Sequence, residues 1–245
     1  MAKQTIDINC DLGEGAGNDA LLMPFISSCS IACGGHYGDK KTMTTAIRLA
    51  KQHQVKVGAH PSFPDKENFG RKLMTLTKSE LEDSIYHQLK TFQEVCKTEG
   101  FPINHIKLHG ALYNLAAKDE QTALTVLSAI KKTNIQSAIY APYQSALANI
   151  ARPNFDVILE AFADRKYHHN LQLVARSKNG AVISEPTVAW KQVQHILEKG
   201  TVISIEGKKV NITVQTFCIH GDQPNAVALA SYIYKQLLKN NLVIG

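Results

Sequence analysis

The sequence predicts one α/β domain, an incomplete or distorted TIM-like (β/α) barrel of about seven strands. Three observations point there. Strand-like runs alternate with helical stretches along most of the chain. Four histidines (36, 60, 109 and 220) come at or just after such runs, each with glycine within two residues. The length, 245 residues, matches a barrel of roughly 250. In parallel α/β folds the carboxyl ends of the strands share one edge, so side chains distant in sequence converge there. Alternation alone does not separate a barrel from a doubly wound sheet. The polar residues gathered at the strand ends favour the barrel.

Thr5–Cys10 alternates apolar and polar residues and reads as the first strand. Asn18 or Asp19 caps a short helix through Ile26, and Ser28–Cys33 is the second strand. Residues 43, 46, 47 and 50 give Thr42–Gln54 a helical spacing, and Val55–Ala59 is the third strand. A Pro-, Gly- and Asp-rich loop covers 61–70. Thr77 and Glu80 then form a capping-box pattern opening the longest helix, which Gly100 ends. Strand 103–108, helix 119–132, strand 137–141, helix 143–150 and strand 155–160 follow. From about 164 to 212 the pattern breaks into turn signals, hairpin-like pieces and one helix near 187–199, read as an elaborated last crossover. Ile212–Ile219 is the final strand and Pro224–Leu238 the closing helix. With no repeat or linker, residues 1–245 are expected to form one domain.

Chemistry concentrates at the strand ends. Asp11 and Glu14 follow the first strand in Asn9–Gly15, His36 and Asp39 the second, and His60 the third. Lys107 and His109 lie two apart in a strand, which places them on one side, facing inward in a barrel. An inward lysine needs an anionic partner, and Glu160 is the expected one. Replacement of Lys107 by methionine is accordingly expected to leave packing and melting nearly unchanged. Tyr113 and Asn114 follow His109, and Arg71 follows the 61–70 loop. Asp164 and Arg165 follow the sixth strand, and His220 and Asp222 the last. Such a rim permits two chemistries. It could bind a divalent metal that activates water, or act without one by general acid–base transfer around a cationic oxyanion stabiliser. No HExxH pair decides between them. There is no GxxxxGK[ST], and Gly13-x-Gly15-x-Gly17 lacks the dinucleotide spacing.

The formal charge of +6 is spread over dispersed lysine pairs, so no nucleic-acid partner is expected, although the field can draw in a small anion. Five cysteines without a CxxC pair suit a reducing compartment. Asp7, Asp11 and Glu14 interrupt any early apolar run, and no run reaches the roughly 20 residues of a membrane span. A cytoplasmic protein without membrane contact is expected.

Asp7–Gly15, Ile31–Asp39, Val57–Pro61, Phe69–Arg71, Lys107–Asn114, Phe162–Tyr167 and Cys218–Asp222 occur in order across residues 7–222. Together they resemble the LamB/YcsF family. The chain departs from the family pattern at Gly35, Tyr37, Lys72 and Leu108, none of which removes an ionisable group from the rim. The resemblance implies a seven-stranded barrel of the glycoside hydrolase/deacetylase type. It implies ATP-dependent opening of 5-oxo-L-proline to L-glutamate, in a complex with 5-oxoprolinase subunits B and C. ATP, with Mg²⁺ as its counter-ion, would then bind unconventionally or largely on the partners; self-association is left open. The candidate catalytic set is Asp11, Glu14, His36, His60, Lys107, His109, Glu160 and His220. The candidate substrate-binding set is Asp39, Arg71, Tyr113, Asn114, Asp164, Arg165 and Asp222.

Overall fold

The computed structural model describes residues 5–245. Seven parallel strands close into a barrel: β1 (Thr5–Leu12), β2 (Ser28–Ala32), β3 (Lys56–His60), β4 (Ile103–Lys107), β5 (Ala138–Pro142), β6 (Val157–Phe162) and β9 (Thr216–His220). Pairing of β9 with both β6 and β1 completes the circle. Helices α1 (Asp19–Leu22), α2 (Lys40–His53), α3 (Lys78–Glu99), α4 (Gly110–Ala116), α5 (Glu120–Thr133), α6 (Ala146–Ala151), α7 (Pro186–Lys199) and α8 (Ala226–Lys239) form the outer layer. Between β6 and β9 the chain makes two isolated bridges, α7, and an antiparallel hairpin of β7 (Thr201–Ile203) and β8 (Lys209–Asn211). A last strand, β10 (Val243–Ile244), adds to the start of β1. No helix among the described residues is long and apolar enough to cross a membrane.

Alternation along each strand decides what the barrel holds. In β1, Ile6, Ile8, Cys10 and Leu12 join the apolar layer under the helices, while Asp7, Asn9 and Asp11 are buried toward the axis. Ser28 and Ser30, His105 and Lys107, Tyr140, Glu160, and Thr216 and Cys218 repeat this on other strands. Barrels of this kind usually fill their interior with branched apolar side chains; this interior is polar and therefore has to satisfy itself. In its lower layer Asp7 accepts hydrogen bonds from Ser27 (2.7 Å), Ser28 (2.9 Å), Tyr140 (3.2 Å) and Thr216. His105 meets Ser30 at 3.1 Å and stacks on Tyr140. Burial holds this imidazole well below its ordinary pKa, in the neutral form.

Some boundaries differ from the sequence expectation. β1 runs on to Leu12, which brings Asp11 into the barrel wall. The final strand starts at Thr216, not Ile212, because residues 212–215 hydrogen-bond to Gly200 and to Leu159 before reaching the barrel. Helix α4 has no counterpart in the sequence expectation. Its start makes His109 a helix N-cap residue, so Lys107 and His109 do not share a strand.

Candidate active site

Strands β1, β4, β6 and β9 deliver a charged floor just inside the carboxyl end of the barrel. Lys107, 1% exposed, is held by Glu160 (2.8 Å), Asp11 (2.9 Å), Asn9 (2.9 Å) and the Cys218 sulfur (3.0 Å). Burial alone would strip its proton; Asp11, Cys218 and Glu160 outweigh that and hold its pKa well above the ordinary lysine value. Asn9 also donates to Glu160 (2.9 Å), and Tyr113 donates to the other Glu160 oxygen (2.7 Å). Burial raises the Asp11 carboxyl, but His60 and Lys107 overcome it and keep Asp11 ionised.

Beside Asp11, three imidazoles and Glu14 meet. His60 Nδ1 lies 2.8 Å from the Lys107 carbonyl, and His109 Nε2 lies 2.9 Å from the Phe69 carbonyl. A carbonyl only accepts, so both of these nitrogens carry hydrogen. The opposite nitrogens, His60 Nε2 and His109 Nδ1, face each other at 3.0 Å. Asp11 is 3.4 Å from the former, and Glu14 is 3.2 Å from the latter. His36 donates to Glu14 at 2.9 Å and stacks flat on His109 with ring centroids 3.7 Å apart. Burial pushes His36 down to about 4, and its Nδ1 is buried without a partner.

The third group is His220 with Asp164. His220 Nδ1 donates to the Asp164 carboxylate at 3.0 Å, and its backbone N–H donates to the same group at 2.9 Å. Gln223 donates to it as well. This fixes the Nδ1–H tautomer of the neutral ring. Nε2 makes no hydrogen bond to protein among the described residues, and the ring lines a cavity at the carboxyl end of the barrel, stacked on Phe162.

That cavity measures about 350 Å³, near the lower end of the small-molecule range of about 300–1,000 Å³. Asp11, His60, Lys107, His109 and His220 form its polar floor; Arg71, Arg165 and Arg176 make its walls cationic; Tyr113 and Asn114 complete one side. Glu160 lies at an adjoining recess that shares Tyr113, Asn114 and Phe162 with it. Glu14 and His36 do not line the cavity. Asp222 pairs with both Arg71 and Arg176 and orients them. Arg165 donates to the Val174 carbonyl (2.6 Å), and its Nε is buried without a partner. Burial and Arg176 push its guanidinium down to about 10.

One expected site residue does not belong here. Asp39 is exposed, and its carboxylate accepts from the Thr42 N–H in the capping box of α2; its cap role already uses the carboxylate. Sequence reading missed Asn9, Cys218, Arg176 and Gln223. The period-two pattern of β1 and β9 carries the signal for Asn9 and Cys218. Arg176 and Gln223 lie in loops and carry none.

The Phe69–Arg71 loop, which supplies the His109 acceptor and one wall arginine, rests on the backbone of Gly110. A Cβ at Gly110 would lie 2.6 Å from the Gly70 carbonyl oxygen, and Gly110 has φ +54°. Gly110→Ala is therefore expected to lose at least the roughly 1–2 kcal/mol of a left-handed non-glycine residue and to displace Arg71. Urea unfolding reads the loss, and an unchanged midpoint would show that the loop adapts freely.

Fold and site together define a seven-stranded β/α barrel of the glycoside hydrolase/deacetylase type, with a buried acid–base network under a cationic cavity. The chain belongs to the LamB/YcsF family, whose profile matches residues 6–245. It is 39% identical to a Bacillus cereus (strain 03BB102) protein named as the A subunit of 5-oxoprolinase, over 98% of each chain. The crystal structure of a lactam utilization protein from Thermus thermophilus superposes with a TM-score of 0.91 at 35% identity, covering 98% of this chain and 99% of that one. A family 4 carbohydrate esterase from Streptomyces lividans shares the fold, with a TM-score of 0.52 at 11% identity over 100% of this chain and 93% of that one.

Proposed function

We propose that this chain is the lactam-opening component of an ATP-dependent 5-oxoprolinase, acting in the cytoplasm with subunits B and C. The observation that carries the reading is the near full-length match to a chain named as the A component of that enzyme. The reaction consumes 5-oxo-L-proline, ATP and two waters and yields L-glutamate, ADP and phosphate. ATP, with Mg²⁺ as counter-ion, supplies activation of the lactam oxygen, since an unactivated amide resists water. Nothing in this sequence forms a phosphate-cradling P-loop, so the nucleotide is assigned mainly to the partners.

The roles of this chain's residues follow from their positions. Arg71 and Arg176, held by Asp222, are placed to take the substrate carboxylate or a phosphate oxygen, and Arg165 adds a third cation. His220 Nε2, oriented by Asp164, removes a proton from water or returns one to the departing nitrogen. Lys107 stabilises negative charge that develops above the floor. Asp11 and Glu160 keep the lysine charged, and Tyr113 fixes Glu160. Asn114, exposed at the cavity wall, is left for a polar substrate contact.

The test is glutamate release from 5-oxoproline with ATP and Mg²⁺. The isolated chain is expected to give negligible turnover, and the mixture with B and C robust turnover. Full activity of the chain alone would remove the partner requirement; no activity in the full mixture would reject the 5-oxoprolinase reading.

A further inference from the structure

The contact between His60 and His109 is unfavourable for two neutral rings. Both rings have their outer nitrogens committed as donors to backbone carbonyls. In neutral rings two lone pairs would therefore oppose each other at 3.0 Å. Protonation answers this only in part. A proton on His60 Nε2 leaves the His109 Nδ1 lone pair 3.2 Å from a Glu14 carboxylate oxygen. A proton on His109 Nδ1 leaves the His60 Nε2 lone pair 3.4 Å from Asp11. Protons on both drive two N–H groups at each other. A divalent ion among the four donors meets every lone pair at once.

We propose that His60 Nε2, His109 Nδ1, Asp11 Oδ2 and Glu14 Oε1 form a binding site for a zinc-class divalent metal ion. Three further features support it. Four of the six donor separations, those of His60 to His109, Asp11 and Glu14 and of His109 to Glu14, run from 3.0 to 3.8 Å, around the roughly 3.3–3.6 Å edges of a tetrahedron with bonds of about 2.0–2.2 Å. Three donors are already oriented from behind, the imidazoles by carbonyls and Asp11 through its other oxygen by Lys107, while His36 holds Glu14 through the donor oxygen itself. Outer hydrogen bonds of this kind accompany metal-ligating histidines and carboxylates. Third, the buried charges of Asp11, Glu14 and Glu160 exceed that of Lys107 by two, so a divalent ion brings the cluster to neutrality. Asp11, His60 and His109 all line the cavity at the carboxyl end of the barrel, which leaves an open side for water or substrate, as catalytic sites have. A second set of converging donors, Asp11 with Cys218 and His220, is a poorer place for an ion because the Lys107 ammonium already lies against Asp11 and Cys218; a third, Glu14 with His36 and His109, overlaps the proposed site.

This inference rests on the geometry and not on the identity of the substrate. The purified chain, stripped with a chelator, is titrated with Zn²⁺ by calorimetry and with Co²⁺ by visible absorption. One saturating equivalent is expected, with the absorption of a four-coordinate Co²⁺ ion. Mg²⁺, which prefers oxygen ligands in an octahedral shell, should not displace it. His36→Ala should weaken binding about 10–100-fold, as loss of an outer partner does. His109→Ala, and the isosteric Glu14→Gln as a check on folding, should abolish the stoichiometric site. Less than one equivalent on the wild-type chain, or wild-type binding by a folded His109→Ala or Glu14→Gln protein, overturns the proposal. Because the titration uses the isolated chain, its outcome is separate from glutamate release by the complex.

Discussion

Lys107→Met will unfold at lower urea than the wild type, by about 3–5 kcal/mol of stability, the usual loss when one partner of a buried ion pair is removed. The sequence alone leads to the opposite expectation, an unchanged melting point with lost activity. The buried contacts of Lys107 argue for a large loss instead. Lys107 faces not Glu160 alone but two buried carboxylates, Asp11 and Glu160, as well as Asn9 and Cys218. Methionine fills the space and leaves both negative charges with no ammonium. The double variant Lys107→Met with Glu160→Gln removes a charge from each side and should recover part of the loss, since deleting a whole buried pair is far less harmful than breaking it. The sign of the pH effect follows. In the single variant Asp11 loses the ammonium that helps hold its carboxyl well below the usual range, so it takes up a proton at higher pH than in the wild type and the deficit should narrow as pH falls. Turnover in the complex should drop by about 10²–10³-fold in both variants. Equal urea midpoints for wild type and Lys107→Met, with unchanged slopes, would show that Lys107 is not the clamp of this floor.

Much of this arrangement is visible in the chain before it folds, and the reason is geometric. The stretch Ile6-Asp7-Ile8-Asn9-Cys10-Asp11-Leu12 alternates strictly, and a strand turns such alternation into an apolar face under the helices and a polar face toward the axis. The same rule places Lys107, Glu160 and Cys218 inside. It fails at His109, two residues after Lys107, because Gly110 with its positive φ ends the strand geometry and starts α4. Nothing in the spacing marks that change, since the cluster from His109 to Asn114 reads as chemistry and not as a helix. Asp39 shows the converse. A carboxylate beside a candidate histidine suggests a binding role, yet the helix start at Lys40 takes its oxygen for the Thr42 N–H. Local capping is as strong a demand on that residue as any ligand. Arg176 and Gln223 were beyond reach because their loops are placed by contacts with Asp222 and Asp164, and no periodicity encodes a loop.

Asp164→Asn should be the more informative change at the cavity, because it alters a proton position and little else. Two donors, the His220 backbone N–H and the Gln223 amide, converge on Asp164 Oδ2. In the variant the amide oxygen must occupy that position to accept from both. Its NH₂ then falls where Oδ1 stood, facing His220 Nδ1, and as a donor it forces the ring proton onto Nε2. The nitrogen that faces the cavity is then no longer a base. General acid–base transfer contributes about 10²–10⁴-fold to rate, and an Asp→Asn change that fixes the wrong histidine tautomer in a comparable dyad lowers turnover by about 10⁴. A fall of that order is expected in the reconstituted complex. KM should hold nearly constant, because Arg71 and Arg176 are held by Asp222 and not by Asp164. His220→Ala should lose a similar factor, and the double variant little more than either, since the two residues act as one unit. Nitrogen-15 spectra of the imidazole report the switch directly, as movement of the proton from Nδ1 to Nε2. A switched tautomer with turnover close to wild type would remove His220 from the chemistry and leave the dyad as a support for the cavity wall.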